Sequence, residues 1–253
     1  MTIEDVASYF PSFQPPGGLL LDYQGVDPAK VAGFSRTFTL APNGGAGTLG
    51  QGVPVVPVGD LLTNGVKYYA PNGATDAFRT NIGVMNAGAT AADVAIRLRG
   101  EGGFLLADKT ITVPPGGWLQ PDVFQLLGVE FTPQTYVVVN PQTGDNWVAF
   151  LSQVDNTSGD PTFFPVIPAQ QGPFQVGELQ LWLPAVAHLP GYNGTQWRSD
   201  VWVLNPNAST AFSNLIFNKE DTDNYSNPGP GRQYNIASEV VAMYPVWSAG
   251  PTG

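Results

Sequence analysis

The side chain that most often does acid–base chemistry near neutral pH occurs once in this chain, as His188. A single histidine excludes a multi-histidine zinc or copper site within one chain, and any Ser–His–Asp triad would have to include it. No Gly-x-Ser-x-Gly turn lies near it, so its loop, AVAHLPG, favours a structural role. The absence of cysteine excludes disulfides, thiolate metal sites and cysteine nucleophiles. We therefore predict that this protein has no catalytic residue and is not an enzyme.

Carboxylates are the next candidates, because a pair of them can hydrolyse a glycosidic bond and a cluster can bind Ca²⁺. Asp155 and Asp160 share one loop, and Glu220, Asp221 and Asp223 share another. The second loop, KEDTDNYSNPG, lacks the glycine and the terminal glutamate of an EF-hand. Loop aspartates in β-proteins more often cap neighbouring N–H groups. We predict turn-forming roles, with Glu220, Asp221 and Asp223 as weak Ca²⁺ candidates and no other cofactor.

Two arginines, Arg79 and Arg198, have the same sequence neighbours. They could bind an anion or a sugar, or they could tie the start of a strand to a carbonyl or carboxylate of the same unit. Their repetition favours the second interpretation. Together with Asn81 and Asp200 they are interpreted as structural positions of an internal repeat.

Aromatic residues could bind carbohydrate, and glycosylation sequons could carry it covalently. The chain has six Trp, nine Tyr and fourteen Phe, and exposed aromatic faces can bind sugars. Trp197 and Trp202 are five residues apart and would face opposite sides of a regular strand, so a coplanar platform is not implied. Four sequons would carry glycans if a glycosylating organism exports the protein: Asn156, Asn193, Asn207 and Asn224.

Composition predicts an all-β protein. The 253 residues include 30 glycines and 24 prolines, and only 12% are charged, which suits strands and turns better than helix interiors. The net charge of −10, without a basic cluster, argues against nucleic-acid binding and against anionic membranes. No run of 18 apolar residues predicts a membrane span, and the first residues show no signal peptide. We expect a cytosolic protein, or a mature or recombinant form of an exported one.

An internal repeat organises the sequence. Residues 78–86 (FRTNIGVMN) and 197–205 (WRSDVWVLN) match at 119 residues' distance and both alternate like a half-buried strand. A polar turn and a second strand, from Val94 or from Leu215, follow each copy. The first unit continues with a strand over 104–113, a short helix between Pro121 and Gly128, and two more strands.

The second unit stops before its helix and its last strands, and matching pieces occur at the N-terminus. They follow in the same order. Residues 4–10 match 121–127, and LLLDY from Leu19 matches TYVVVN. KVAGFSRTF from Lys30 matches WVAFLSQV from Trp147, with Ala32 on Ala149 and Ser35 on Ser152, and GGAGTLGQGVPV matches SGDPTFFPVIP. We therefore expect the chain to begin and end midway through one kind of repeat.

Residues 184–206, PAVAHLPGYNGTQWRSDVWVLNP, resemble the opening of tandem β-sandwich repeats in mostly uncharacterised secreted bacterial proteins. Segments at 35–51 and 154–165 resemble the ends of such repeats. The resemblance implies immunoglobulin-like sandwiches and a place outside the cell or on its surface. It implies no catalytic residue and no ligand.

These observations predict two sandwiches of one design. Residues 66–167 form a complete central one, and residues 180–243 form a second one that residues 1–54 complete, with linkers at 55–65 and 168–179. Completion within one chain has the higher effective concentration. Completion by a neighbouring subunit would build a head-to-tail polymer, and excision from a longer repeat array is a third interpretation.

We accordingly predict a non-enzymatic extracellular structural or surface protein. If a neighbouring subunit completes the second sandwich, it is a filament subunit that polymerises with copies of itself by strand complementation. A carbohydrate-binding or adhesin-like module is the alternative. Nucleic acid and membrane insertion are not expected.

Overall fold

The structure is a computed structural model that describes residues 17–22, 24–25, 32–41, 47–72, 77–168, 186–187, 189–191, 194–205, 210–216, 223, 226, 231–236 and 240–245. In these parts of the chain antiparallel strands dominate and the one α-helix is short. The predicted all-β fold class is confirmed.

An N-terminal hairpin precedes the central part of the protein. Its strands are β1 (Phe34–Leu40) and β2 (Thr48–Pro54), paired antiparallel with Phe34 opposite Pro54. Every residue of β1 is exposed, whereas most of β2 is half-buried. Within the described residues β1 pairs with β2 alone.

The central part is a sandwich of two antiparallel sheets. Its elements are, in chain order, β3 (Tyr68–Asn72), β4 (Phe78–Asn86), β5 (Ala92–Arg99), β6 (Leu105–Val113), β7 (Trp118–Leu119), α1 (Val123–Leu127), β8 (Thr135–Pro141), β9 (Trp147–Asp155), β10 (Pro161–Pro165) and β11 (Ile167–Pro168). One sheet has the order β10-β9-β4-β7 and the other the order β11-β3-β8-β5-β6. We call them the four-stranded and the five-stranded sheet.

Alternation along the strands places the core between these sheets, because successive side chains of a strand point to opposite faces. Ile82 and Val84 of β4 lie in the core with Leu151 of β9, and Val137 of β8 meets them from the five-stranded sheet. The large indole of Trp147 is fully buried, and its N–H donates to the carbonyls of residues 143 and 144. Apolar side chains at every second position therefore hold the two sheets together.

The predicted short helix is present as α1, and its ends follow from local chemistry. The carboxylate of Asp122 accepts hydrogen bonds from the N–H groups of Phe124 and Gln125, which makes it the N-cap. Gly128 ends the helix with a φ of 69°, a left-handed conformation that glycine adopts without strain. Pro121, predicted in the first turn, precedes the cap instead, because Asp122 takes the capping position.

The linkers predicted at 55–65 and 168–179 are shorter in the structure at the ends that adjoin the sandwich. Leu62 and Trp147 exchange two backbone hydrogen bonds of 2.8 and 3.0 Å, and the Asn64 N–H donates to the Asp145 carboxylate. Pro168 pairs with Tyr68 at the edge of the five-stranded sheet. These pairings join residues that are distant in sequence, so composition alone did not reveal them.

The C-terminal part contains three strand pairs. The pairs are β12 (Leu189–Pro190) with β13 (Gln196–Trp197), β14 (Asp200–Asn205) with β17 (Val240–Pro245), and β15 (Ala211–Ile216) with β16 (Gly231–Ile236). The strands predicted from Val94 and Leu215 begin earlier, at Ala92 and Ala211. Their first residues are small or polar and resemble turns, but pairing with β6 and β16 makes them extended.

Candidate functional site: an exposed hairpin and two open strand edges

The C-terminal strands repeat a detail of the central sandwich. The side-chain N–H of the buried Asn86 donates to the Val113 carbonyl at 3.0 Å, and that of the buried Asn205 donates to the Ile236 carbonyl at 3.0 Å. Asn86 and Asn205 are 119 residues apart, as are Ala92 and Ala211, which lie opposite Val113 and Ile236. Strands β14, β15, β16 and β17 thus correspond to β4, β5, β6 and β7.

The two sets of strands differ at their edges. In the central sandwich β4 lies between β7 and β9, and β5 lies between β6 and β8. Among the described residues, β14 pairs only with β17 and β15 only with β16. We call the unpaired sides of β14 and β15 the acceptor edges. Val201 and Val203, at the positions of the buried Ile82 and Val84, are only half-buried.

The N-terminal hairpin has the form of the β9–β10 pair. The match of Ala32 to Ala149 sets an offset of 117 residues, which aligns Phe34 with Leu151. Leu151 is fully buried, whereas Phe34 is 91% exposed. A core-type residue therefore lies in solvent on the outer strand of the hairpin.

The segment before the hairpin shows the same contrast. At the offset of 117, Leu20 aligns with Val137, which is fully buried in the middle of the five-stranded sheet. Leu20 is 78% exposed, and Leu19 and Leu21 beside it are exposed to lesser degrees. We call residues 17–22 together with β1 and β2 the donor segment.

The donor hairpin packs on the four-stranded sheet, and β14 packs on the five-stranded sheet, with its Trp202 ring also against Phe164 of β10 in the four-stranded sheet. On the four-stranded sheet, the Ser152 hydroxyl donates to the Gln51 side-chain oxygen at 3.1 Å, and the Gly50 N–H donates to the Asp160 carboxylate at 3.1 Å. On the five-stranded sheet, Trp202 and Leu204 of β14 cover two buried outward-facing side chains of β8, Tyr136 and Val138. The described donor strands do not pair with β14 or β15 of the same chain. Completion by a neighbouring copy therefore stays a prediction.

Of the arginines predicted as repeat positions, Arg79 lies in β4, whereas Arg198 lies between β13 and β14, and their contacts differ. The Arg79 guanidinium donates to the side-chain oxygen of Asn156 at 2.8 Å, whereas that of Arg198 donates to the adjacent Trp197 carbonyl at 3.3 Å. Asn81 lies opposite Ser152 in the β4–β9 pair, and Asp200 lies opposite Pro245.

The structure describes the hydrogen bonds of Asp155 and Asp160, the two aspartates predicted to form turns in one loop. The Asp155 carboxylate accepts hydrogen bonds from the backbone N–H of Thr157 at 2.7 Å and from the Ser158 hydroxyl at 2.9 Å. These bonds, that from Thr157 foremost, lower the pKa of Asp155 below its ordinary value. Asp160 instead accepts from Gly50 of the hairpin. Both carboxylates are thus used to hold backbone.

The weak Ca²⁺ candidates are only partly described. The carboxylate of Asp223 accepts from the Ser226 N–H at 3.2 Å, and Glu220 and Asp221 lie outside the described residues. The described ranges contain no group of three or more residues suited to hold a metal ion.

Several other predicted positions, His188, Asn193, Asn207 and Asn224, lie outside the described residues. Asn156 is described and exposed. Among the aromatics, Phe150 and Phe163 stack on each other at 5.2 Å, and the Trp202 ring packs edge-on against Phe164 at 5.8 Å. The carbohydrate-binding alternative stays a prediction.

The chain matches no protein-family model, no curated protein and no solved structure. The parts of the chain that the structure describes contain no helix long and apolar enough to cross a membrane.

The sequence predicts a donor and an acceptor half but does not single out the residues whose exposure distinguishes them. Phe34 and Leu20 received no role from the sequence, although the 117-residue offset aligns both with core positions. The alternation of β9, read onto β1, is the signal that could have found Phe34.

Proposed function

We propose that this protein is a structural subunit that assembles head to tail by strand complementation. In the assembly, the donor segment of one copy fills the acceptor edges of the next. Strand β1 adds to β14, and the segment around Leu20, which is not a strand in the single chain, adds to β15. The extracellular part of the proposal is supported by the resemblance of residues 184–206 to repeats of secreted proteins.

The main support is that the molecule contains a template for the missing contact. In the β4–β9 pair, Ile82 lies opposite Leu151 and Val84 lies opposite Ala149. The offsets of 119 and 117 residues transfer these pairs to the two halves. Val201 of one copy then lies opposite Phe34 of the next, and Val203 lies opposite Ala32. The completed sheet has the order β2-β1-β14-β17, equivalent to β10-β9-β4-β7.

Burial and backbone pairing both favour this contact. Phe34 and Leu20 would leave water for the half-formed core beside Val201 and Val203, and each such side chain contributes about 1.5–3 kcal/mol when fully buried. The unpaired N–H and C=O groups of β1 and β14 would satisfy one another, as in other cases of strand addition.

The placement of the two halves sets the type of assembly. The donor segment and the acceptor edges are different surfaces of the molecule, so the contact is heterologous. Heterologous contacts make open chains unless the rotation between subunits closes a ring. A filament is therefore the expected product.

A disulfide trap between separately labelled copies tests the proposal. The natural chain has no cysteine, so Phe34→Cys and Val201→Cys variants each carry one thiol. Residues opposite each other in antiparallel strands have Cα atoms roughly 4.5–5.5 Å apart, within the reach of a disulfide. When the two variants are mixed and oxidised, we expect a covalent heterodimer.

The control pairs Val201→Cys with Ser35→Cys. Ser35 is the neighbour of Phe34 on the same strand, but its side chain points to the other face of β1. Random collision would trap both pairs, whereas the proposed register traps only the first. Equal yields, or no heterodimer at concentrations where the protein associates, would refute strand complementation.

A further inference from the structure

We infer that the filament is a continuous face-to-face stack, in which each sandwich docks on the next through one repeated contact between sheets. This inference rests on the proposed strand complementation and adds to it how successive sandwiches sit on each other. Its partner is a second copy of this chain.

The first instance of the contact lies within one chain. The outer face of the five-stranded sheet presents Tyr69, Tyr136 and Val138, and β14 covers them with Trp202 and Leu204. The rings of Tyr69 and Tyr136 lie 6.1 Å apart, and the Trp202 ring meets Phe164 of β10 edge-on. Here β14, the β4-type strand, packs with Trp202 and Leu204 on the outer face of the five-stranded sheet, and its Trp202 also reaches Phe164 of the four-stranded sheet.

The second instance lies at the other end of the same chain. At the 119-residue offset, Leu204 corresponds to Met85 on the outer face of β4. The donor segment reaches this face, because a Cβ on Gly18 would lie 2.7 Å from the Met85 sulfur and 3.8 Å from the Trp118 ring. Strand β2 adds hydrogen bonds through Gln51 to Ser152 and through Gly50 to Asp160.

The exposure of three consecutive leucines fits this arrangement. At the 117-residue offset, Leu19 and Leu21 correspond to Tyr136 and Val138, which make the docking contact, and Leu20 corresponds to the core residue Val137. Leu20 is 78% exposed, against 51% for Leu19 and 41% for Leu21. The two docking positions are thus turned more toward the chain's own sandwich, and the core position is turned more toward solvent, where the acceptor of a second copy would lie.

Stacking predicts a measurable repeat. Each subunit supplies one whole sandwich and the equivalent of a second, which makes four sheets. Sheets packed face to face lie about 10 Å apart, so the rise is about 40 Å per subunit, with a pseudo-repeat of about 20 Å from the two similar sandwiches.

Electron microscopy of filaments of the full chain tests the inference, and the Phe34→Cys/Val201→Cys trap is run on the same preparation. An axial repeat near 40 Å with a strong 20 Å spacing, together with trapped heterodimer, is the expected result. A trapped heterodimer in filaments with a much longer repeat, or with separated beads, would overturn the stacking and leave strand complementation intact. Absence of both filaments and heterodimer would overturn both.

Discussion

Replacement of Phe34 by alanine separates the stability of the subunit from that of the assembly. In the single chain the Phe34 side chain is 91% exposed, so its loss removes almost no packing. In the completed sandwich it takes the position of Leu151, which is fully buried. The same substitution is therefore expected to be neutral in one state and costly in the other.

The magnitudes follow from these two environments. Exposed substitutions of this kind usually change the free energy of unfolding by less than about 0.5 kcal/mol, so the unfolding midpoint of the unassembled subunit should stay unchanged. Phe→Ala at a buried position costs about 3–5 kcal/mol, and each 1.4 kcal/mol is about tenfold in an equilibrium constant. We expect the critical concentration for assembly, measured by sedimentation, to rise roughly 100-fold or more.

The matched control is Phe212→Ala. Phe212 is 84% exposed on β15, but it corresponds to Asp93, which is not in the core of the central sandwich. If assembly depended only on nonspecific association of exposed hydrophobic side chains, both variants would assemble equally poorly. The reasoning would be refuted if Phe34→Ala assembled like the parent protein, or if both variants lost assembly equally.

Two further predictions concern the central sandwich. The Thr80 hydroxyl is buried without a hydrogen-bond partner, so Thr80→Val should stabilise the protein by about 1 kcal/mol in thermal unfolding. Thr135→Val is the control and should destabilise the protein, because the Thr135 hydroxyl accepts a hydrogen bond from the Asn72 side chain at 2.8 Å. The lowered pKa of Asp155 means that its contribution is complete above its unfolded pKa of about 3.9 and is lost as pH falls through the lower folded value. Denaturation midpoints between pH 5 and pH 2 should therefore fall less steeply in Asp155→Asn than in the parent protein, and equal slopes would contradict the assigned cause.

Local chemistry was readable from the sequence where a few neighbouring residues decide the structure. Gly128 predicted the end of the five-residue helix, which its positive φ confirms, whereas Pro121 was predicted at the start and the capping side chain is that of Asp122. The strand repeat was readable because the 119-residue spacing preserves alternation, and Asn86 and Asn205 carry the same hydrogen bond in both copies.

Long-range placement was not readable, because it depends on contacts between distant residues. Nothing in the composition of residues 62–65 distinguishes them from the rest of the predicted linker, and only the pairing of Leu62 with Trp147 binds them to the sandwich. Likewise Gln51 has no sequence signature for contact with Ser152. The alternatives for completing the second sandwich were left open for the same reason.

The lengths of the connecting segments bear on whether the second sandwich is completed within one chain or by a neighbouring copy. A tether favours completion within one chain only if it can bring the two halves together. Residues 55–61 are the free part of the N-terminal tether, and seven residues reach at most about 25 Å. Closure within one chain therefore depends on this short reach and on residues 169–199, which join the sandwich to β14.

Completion within one chain would also have to break contacts that already exist. Moving β14 to the hairpin would expose Tyr136 and Val138, which are nearly fully buried under Trp202 and Leu204. Moving the hairpin instead would break its hydrogen bonds to Ser152 and Asp160. In the proposed assembly the donor segment comes from a second copy, so neither set of contacts has to be broken. The contacts that hold each half on its own face of the sandwich therefore favour assembly between chains over closure within one.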